Sequence, residues 1–361
     1  MKRRYLQSAL FLLAGTAAHG ASEPRNTAQD VPADCRPARA IPLQIRFADE
    51  APRAALLRAQ GTGLALEDSR SGVRLWSAGP DAGGSQQFSD MRSAFGESLT
   101  AVHLDADGVH DRLYAGDRAG RLWRFELQAD ARPERWLRGG IWADLGLPGG
   151  GRGFLAAPDV TLLQVPGLHP WLNVALGSAT TGPVPVENRF YFLRDVLAAE
   201  LPAQPVTEAD LLRLSPPGGI MDARRHETPV HGYYLALGNV QVFAPALTLA
   251  GRLHFTVVET AQPLAVQCPD NTVPIHPGAV SVTVLRAEDG ATADTNGDGQ
   301  IDSRDLRSSL PRALPADARI DLMPSAEGTA ELLCEVGGEA LPGCALDTAP
   351  HPAGWRREDA D

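Results

Sequence analysis

The chain has 361 residues, room for one large domain or two ordinary ones, and its 36 glycines and 29 prolines favour short elements and frequent turns over long helices. A formal charge of −11 argues against nucleic acid, whose phosphates demand a basic face. Lys2 is the only lysine, so lysine chemistry of the Schiff-base or phosphate-loop kind is excluded once the N-terminus is removed.

Met1 to Gly20 has the plan of a secretory signal peptide. Lys2-Arg3-Arg4 is followed by a short, mostly apolar run from Tyr5 to Ala17, then by Ala18-His19-Gly20, with small residues where a signal peptidase inspects the chain. That run is shorter than the roughly 18–20 apolar residues of a membrane anchor. Removing its three positive charges takes the mature chain from −11 to −14. Residues 21–37, polar and proline-containing, are expected to be a linker. Export makes the four cysteines a disulfide question. Cys334 and Cys344 flank a Gly-Gly turn and form the favoured pair, leaving Cys35 for Cys268.

Four short strand-like runs follow: Ile41 to Phe47, Ala54 to Arg58, Gly63 to Glu67 and Val73 to Trp76. They define a divergent β segment at 38–85 that can make one blade, with a loop at Asp81 to Ser85. A larger β domain is expected over 86–361.

From His103 to Leu127 the sequence reads as an acidic turn feeding a β-hairpin. Asp111 to Ala115 and Gly120 to Leu127 alternate large apolar with polar residues, the pattern of half-buried strands, and Gly116 to Gly120 supplies the turn. Trp123, in the second strand, is expected to be blade core. Asp105, Asp107 and Asp111 surround Gly108 at a spacing that lets carboxylates converge on a hard cation.

Strand-like runs continue at Asp159 to Val165, Trp171 to Gly177, Asn188 to Asp195, His231 to Leu235, Phe243 to Val258 (a hairpin about Ala250-Gly251), Ala279 to Ala287, Arg319 to Met323 and Ala330 to Gly338. One short helix is expected at Thr207 to Leu212. Many short strands with recurrent glycine and aromatics place the chain in the all-β class, as a propeller or sandwich.

The sharpest chemical signal is Asp294 to Asp305. Asp294, Asn296 and Asp298 supply oxygens at loop positions one, three and five; Gly299 permits the turn at six. Gln300 offers its carbonyl at seven, Asp302 falls at nine, and Asp305 stands at twelve, where an EF-hand places a longer glutamate. Calcium is therefore expected here, at moderate affinity. The alternative reading of either acidic loop is a solvated turn. No Gly-x-Ser-x-Gly elbow or His-Glu-x-x-His pair is present, and the nine histidines are scattered, so no catalytic residues are assigned.

Asp111-Arg112-Leu113-Tyr114-Ala115-Gly116-Asp117 and Trp123-Arg124-Phe125-Glu126-Leu127 resemble the C-terminal β-propeller of PilY-type proteins, the type IV pilus assembly factors and tip-associated adhesins. Pro158-Asp159-Val160-Thr161, Gly177-Ser178, Arg189 to Asp195, His231 to Leu235, Cys268 and Gly354-Trp355-Arg356-Arg357 continue the resemblance in order. The place of the loop's first carboxylate holds His103, a poor ligand for calcium. The long N-terminal part of such proteins, often with a von Willebrand A-like domain, is expected to be absent, and the strands suffice for about four to five blades.

The resemblance implies a secreted, non-enzymatic, calcium-binding protein of type IV pilus assembly or extension, at the periplasm, the outer surface or the pilus tip. Its expected partners are pilins, minor pilins or other pilus assembly proteins, with a host or abiotic surface as a further target. Asp294 to Asp305 would form the main calcium loop and Asp105, Asp107 and Asp111 a second, weaker one. Two alternatives are a quinoprotein-like propeller dehydrogenase, whose vicinal cysteine pair is missing here, and a free-standing calcium-dependent surface-binding module.

Overall fold

Apolar residues at every second position build the first sheet. In Arg53–Gln60, Ala55, Leu57 and Ala59 turn inward, while Arg58 and Gln60 face solvent. This strand (β2) lies between β1 (Ile41–Ile45) and β3 (Gly63–Asp68), and β4 (Arg74–Gly79) completes an antiparallel meander in chain order. Gln86–Gln87 adds a two-residue parallel edge beside β4. The four runs expected over 38–85 thus form one sheet.

The same plan repeats. The second sheet comprises β5 (Phe95–Val102), β6 (Arg112–Asp117), β7 (Arg121–Leu127) and β8 (Leu137–Asp144), with Val206–Thr207 parallel to β8. The third comprises β9 (Asp159–Leu163), β10 (Trp171–Gly177), β11 (Asn188–Val196) and β12 (Gly232–Gly238), edged in parallel by Leu212–Arg213. In the fourth, β13 (Leu247–Leu249), β14 (Arg252–Glu259) and β15 (Ala279–Arg286) are joined by Val240–Gln241 and Ser308–Ser309. A last, three-stranded sheet holds β16 (Arg319–Pro324), β17 (Ala330–Val336) and Glu339–Ala340. Cys35–Pro37 pairs antiparallel with Thr272–Pro274.

These elements come from a computed structural model. It describes residues 35–37, 39–214 and 231–259 apart from gaps at 49, 82, 106, 130, 165–168, 198–199 and 250. Beyond 259 it describes 272–274, 279–287, 290–292, 300, 302, 308–309, 319–324, 330–336 and 339–340. Among the described residues the fold is all-β, relieved by two 3-10 turns, and no helix is long and apolar enough to cross a membrane. Four-stranded antiparallel meanders are the unit from which propeller blades are made.

The core runs between consecutive sheets. Leu43, Leu57 and Trp76 of the first pack with Phe95, Leu113, Trp123 and Phe125 of the second. Tyr114, Leu122 and Trp142 on the second sheet's other face meet Leu172, Val174, Tyr191 and Leu193 of the third. Phe190, Phe192 and Tyr233 then meet Leu253, Phe255 and Val257 of the fourth. Each interior sheet is therefore covered twice.

That layering corrects the expectation of half-buried strands at 111–115 and 120–127. All six residues of β6 are buried, as are five of the seven in β7, including the polar Arg112, Asp117 and Arg124. The alternation is real, but its polar phase faces a neighbouring sheet instead of water. The helix expected at Thr207 to Leu212 is a single 3-10 turn, Glu208–Asp210, closed where Asp210 Oδ2 accepts the Thr207 amide and hydroxyl at 2.8 and 2.7 Å. In the hairpin expected over 243–258, only Leu247–Leu249 and Arg252–Glu259 are strands.

Candidate metal centre

The motif residues of β6 and β7 are explained by two buried polar hubs. Asp117 is fully buried and gathers four donors: the amides of Ala119 and Arg121 at 2.9 and 3.0 Å, Arg121 Nε at 2.7 Å and Trp123 Nε1 at 3.1 Å. These bonds close the hairpin. Gly120 completes it at φ +84°, a conformation that suits glycine, and a Cβ there would lie 2.6 Å from Gly146 Cα.

The second hub joins two sheets. Asp195 Oδ2 accepts Arg112 Nη1 at 2.8 Å and the Tyr114 hydroxyl, and Asp195 Oδ1 accepts Arg124 Nη1 at 2.8 Å. Glu126 Oε1 lies 3.0 Å from Arg112 Nε and 2.9 Å from Arg124 Nη2. Burial works against both charged partners, pushing Asp195 up and opposing the Arg112 guanidinium, but at Arg112 the charges of Asp195 and Glu126 together with Tyr114 outweigh burial and raise it. We read Asp195 as ionised at neutral pH, because two guanidinium groups and a phenol surround it. A cleft of about 530 Å³ opens over this hub, lined by Arg112, Arg124, Glu126, Arg138 and Leu197 among others. Its two buried guanidinium groups are already paired.

Between β5 and β6 lies the acidic loop 103–111. Its carboxylates first shape the backbone: Asp105 Oδ1 accepts the Asp107 amide at 3.0 Å, Asp107 Oδ1 accepts the Val109 amide at 2.7 Å, and Asp111 Oδ2 accepts the Leu104 amide. Gly108, at φ +88°, donates its N–H to His103 Nε2 at 3.0 Å. That nitrogen lies 3.6 Å from Asp105 Oδ1 and 3.4 Å from Asp107 Oδ1.

One ligand atom from each of His103, Asp105 and Asp111 falls within 4.8 Å of the other two. Asp107 stands outside this set, turned toward Val109 and toward Arg46 Nη2 at 3.7 Å. The Val109 amide holds the Asp107 carboxyl below the usual carboxylate range. Burial raises Asp111, opposed by the Leu104 amide and reinforced by the charges of Asp105 and Asp107. Of the three carboxylates expected to converge, the structure thus gathers two and adds an imidazole.

The loop is also stitched to the first sheet. The His110 amide donates to Gln44 O at 2.9 Å, and the Gln44 amide donates to His110 Nδ1 at 3.0 Å. Burial lowers the pKa of His110, keeping its ring a neutral acceptor.

In the main loop, Asp294, Asn296, Asp298 and Asp305 lie outside the described residues, and only Gln300 (exposed) and Asp302 (half-buried) are placed. Both flanks return to one strand. Thr292 bridges to Leu285 of β15, and Ser308–Ser309 pairs with Ser281 and Val282 of that strand. The cysteine pairing also falls outside the described side chains. The backbone ladder sets Cys35 opposite Pro274, a few residues beyond Cys268.

No protein-family model and no curated protein matches the chain. Among solved structures, it is similar to the crystal structure of the Pseudomonas aeruginosa PilY1 C-terminal domain, with a TM-score of 0.53 and 15% sequence identity, over 83% of this chain and 70% of that one. The two share a fold.

Proposed function

We propose that this chain is an exported, calcium-binding, non-catalytic component of type IV pilus biogenesis that acts in pilus assembly or extension, or in adhesion at the tip. Its partners in this reading are pilins, minor pilins or other assembly proteins, and its calcium is held by Asp294, Asn296, Asp298, Gln300, Asp302 and Asp305.

The observation that carries the reading is the likeness to the PilY1 C-terminal domain over 83% of the chain. The ordered motifs at 111–117, 123–127 and 189–195 support it, because their residues meet in the fold: Arg112, Tyr114 and Arg124 all bond Asp195. The described flanks of this loop, Thr292 and Ser308–Ser309, both pair with the strand Ala279–Arg286, a setting that suits a structural or regulatory ion.

The test is genetic and biochemical. Deleting the gene is expected to reduce surface pili, complementation is expected to restore them, and the tagged mature protein is expected to retain pilins from a membrane extract. Unchanged piliation together with an absence of pilins in the retained fraction would sink the proposal.

A further inference from the structure

We propose that the open edge of β8, with the cleft beside it, takes up an extended peptide segment of a partner protein as an added strand of the second sheet. The segment alternates acidic with apolar residues. The site is separate from both acidic loops and does not depend on the pilus reading.

Backbone direction comes first. Gln86 reaches Leu137 from outside the second sheet: its Nε2 donates to Leu137 O at 2.9 Å, and its Oε1 accepts the Leu137 amide at 2.8 Å. The Trp136 carbonyl points the other way and accepts the Gln128 amide at 2.8 Å. Leu137 thus turns its backbone groups outward, and by the alternation of an antiparallel strand Gly139 and Ile141 do the same. Val206–Thr207 covers that edge only at Ala143–Asp144, and no other described strand pairs with it. A row of open amides and carbonyls is a template for a further strand.

Side chains say what that strand carries, because neighbours across a ladder share a face. On one face Arg138 stands opposite Glu126 and borders the cleft of about 530 Å³, together with Arg112 and Arg124. Arg138 is exposed and has no ion-pair partner among the described residues. The hub and Arg138 bring three guanidinium groups against the carboxylates of Asp195 and Glu126, one positive charge in excess. Leu197, Leu201 and the exposed Glu200 line the cleft from the segment after β11. On the other face, Leu137 is buried and Ile141 half-buried in the core between the first two sheets. An added strand therefore places acids beside Arg138 and apolar side chains beside Ile141.

Gly140 gives it room. It lies opposite Arg124, on the face of Arg138, and a Cβ there would meet nothing within 4 Å. Packing does not account for this glycine. A glycine inside a strand weakens it and often marks the close approach of a ligand or another backbone.

The experiment is fluorescence anisotropy of the full mature chain with a labelled hexapeptide of alternating glutamate and valine. Saturable binding is expected. The same peptide with every amide N-methylated, which removes its ladder donors, is expected to bind at least about tenfold more weakly, as is a peptide of alternating lysine and valine. Arg138→Glu and Gly140→Leu are each expected to weaken binding by about tenfold or more, with the circular dichroism unchanged. Arg74→Glu, an exposed charge at the start of β4, is expected to leave binding as it was. The proposal is overturned by an absence of saturable binding, by equal binding of the methylated or lysine peptide, or by unaltered binding in Arg138→Glu or Gly140→Leu. Loss of binding in Arg74→Glu would also overturn it, as would displacement by free glutarate at the peptide's own concentration, which marks a small-acid site.

Discussion

Arg112 and Asp195, 83 residues apart, meet at 2.8 Å inside the protein and bind the second sheet to the third. Arg124 reaches the other oxygen of the same carboxylate, also at 2.8 Å, and the three side chains are nearly inaccessible. Removing one member of a buried ion group strands the others.

Asp195→Ala is therefore expected to cost about 3–5 kcal/mol, since it leaves two buried guanidinium groups to share the single, partly exposed carboxylate of Glu126. Chemical denaturation of the parent and variant measures this directly. A loss below about 1 kcal/mol, the range of an exposed pair, would show that the hub is solvated.

Trp123→Ala is expected to cost a similar amount, about 3–5 kcal/mol, as a large aromatic removed from a packed core. Trp123 is 1% exposed and packs beside Phe95 and Phe125. Trp123→Phe keeps most of that packing but loses the donor to the Asp117 carboxylate, a bond of about 1.5–3 kcal/mol, so its cost is expected to be smaller than that of Trp123→Ala. An unchanged melting temperature in Trp123→Ala would contradict the assignment.

His254 sets an acid limit. It is 5% exposed on β14, its Nε2 has no hydrogen-bond partner, and burial, aided by the charge of Arg252, lowers its pKa to about 4. Because the folded value lies below the unfolded one, the unfolded chain binds the proton first as pH falls. His254 therefore subtracts nothing above the unfolded value and destabilises progressively between pH ~6.5 and about 4. The loss by the bottom of that window is about 3 kcal/mol. In His254→Leu the stability curve is expected to be flatter than the parent's over that window. Parallel curves would contradict it.

Export and oxidation make a mass prediction. The mature protein is expected to begin near Ala21 and to carry disulfides, with Cys334–Cys344 and Cys35–Cys268 as the pairing. Non-reducing peptide mapping checks it. An N-terminal peptide containing Lys2, or four alkylatable thiols in the folded protein, would contradict it.

Much of this architecture is legible in single residues. The runs at 171–177 and 188–196 declare themselves because apolar and β-branched or aromatic residues dominate them and turn residues bound them, and that at 53–60 because buried Ala55, Leu57 and Ala59 recur at every second position before a Gly-Thr-Gly turn. Leu137–Asp144 was hidden by Gly139 and Gly140, which interrupt its alternation. Gly139 is there for contact: a Cβ would lie 2.1 Å from Arg124 O. The two-residue parallel edges at 206–207 and 212–213 carry no local signal, since their pairing is decided by the sheets they meet. The spacing of Asp105, Asp107 and Asp111 is visible at once. That His103 gathers with Asp105 and Asp111, while Asp107 is held by the Val109 amide and faces Arg46 as well as His103, is a matter of backbone amides and neighbouring charges, which no spacing rule contains.

The central proposal, that the chain binds calcium through its 294–305 loop, is tested most directly by thermal unfolding of the parent and Asp298→Ala, each with calcium and with chelator. Extracellular loops of this kind bind at roughly 10⁻⁴–10⁻³ M. An ion bound only to the folded state adds RT ln(1 + [L]/Kd), about 2.7 kcal/mol at a hundredfold excess over Kd. The parent is expected to melt several degrees higher in saturating calcium than in chelator, with magnesium a poor substitute, and Asp298→Ala is expected to lose that difference. A parent whose melting point ignores the chelator, or an Asp298→Ala that responds to calcium as the parent does, would contradict the claim.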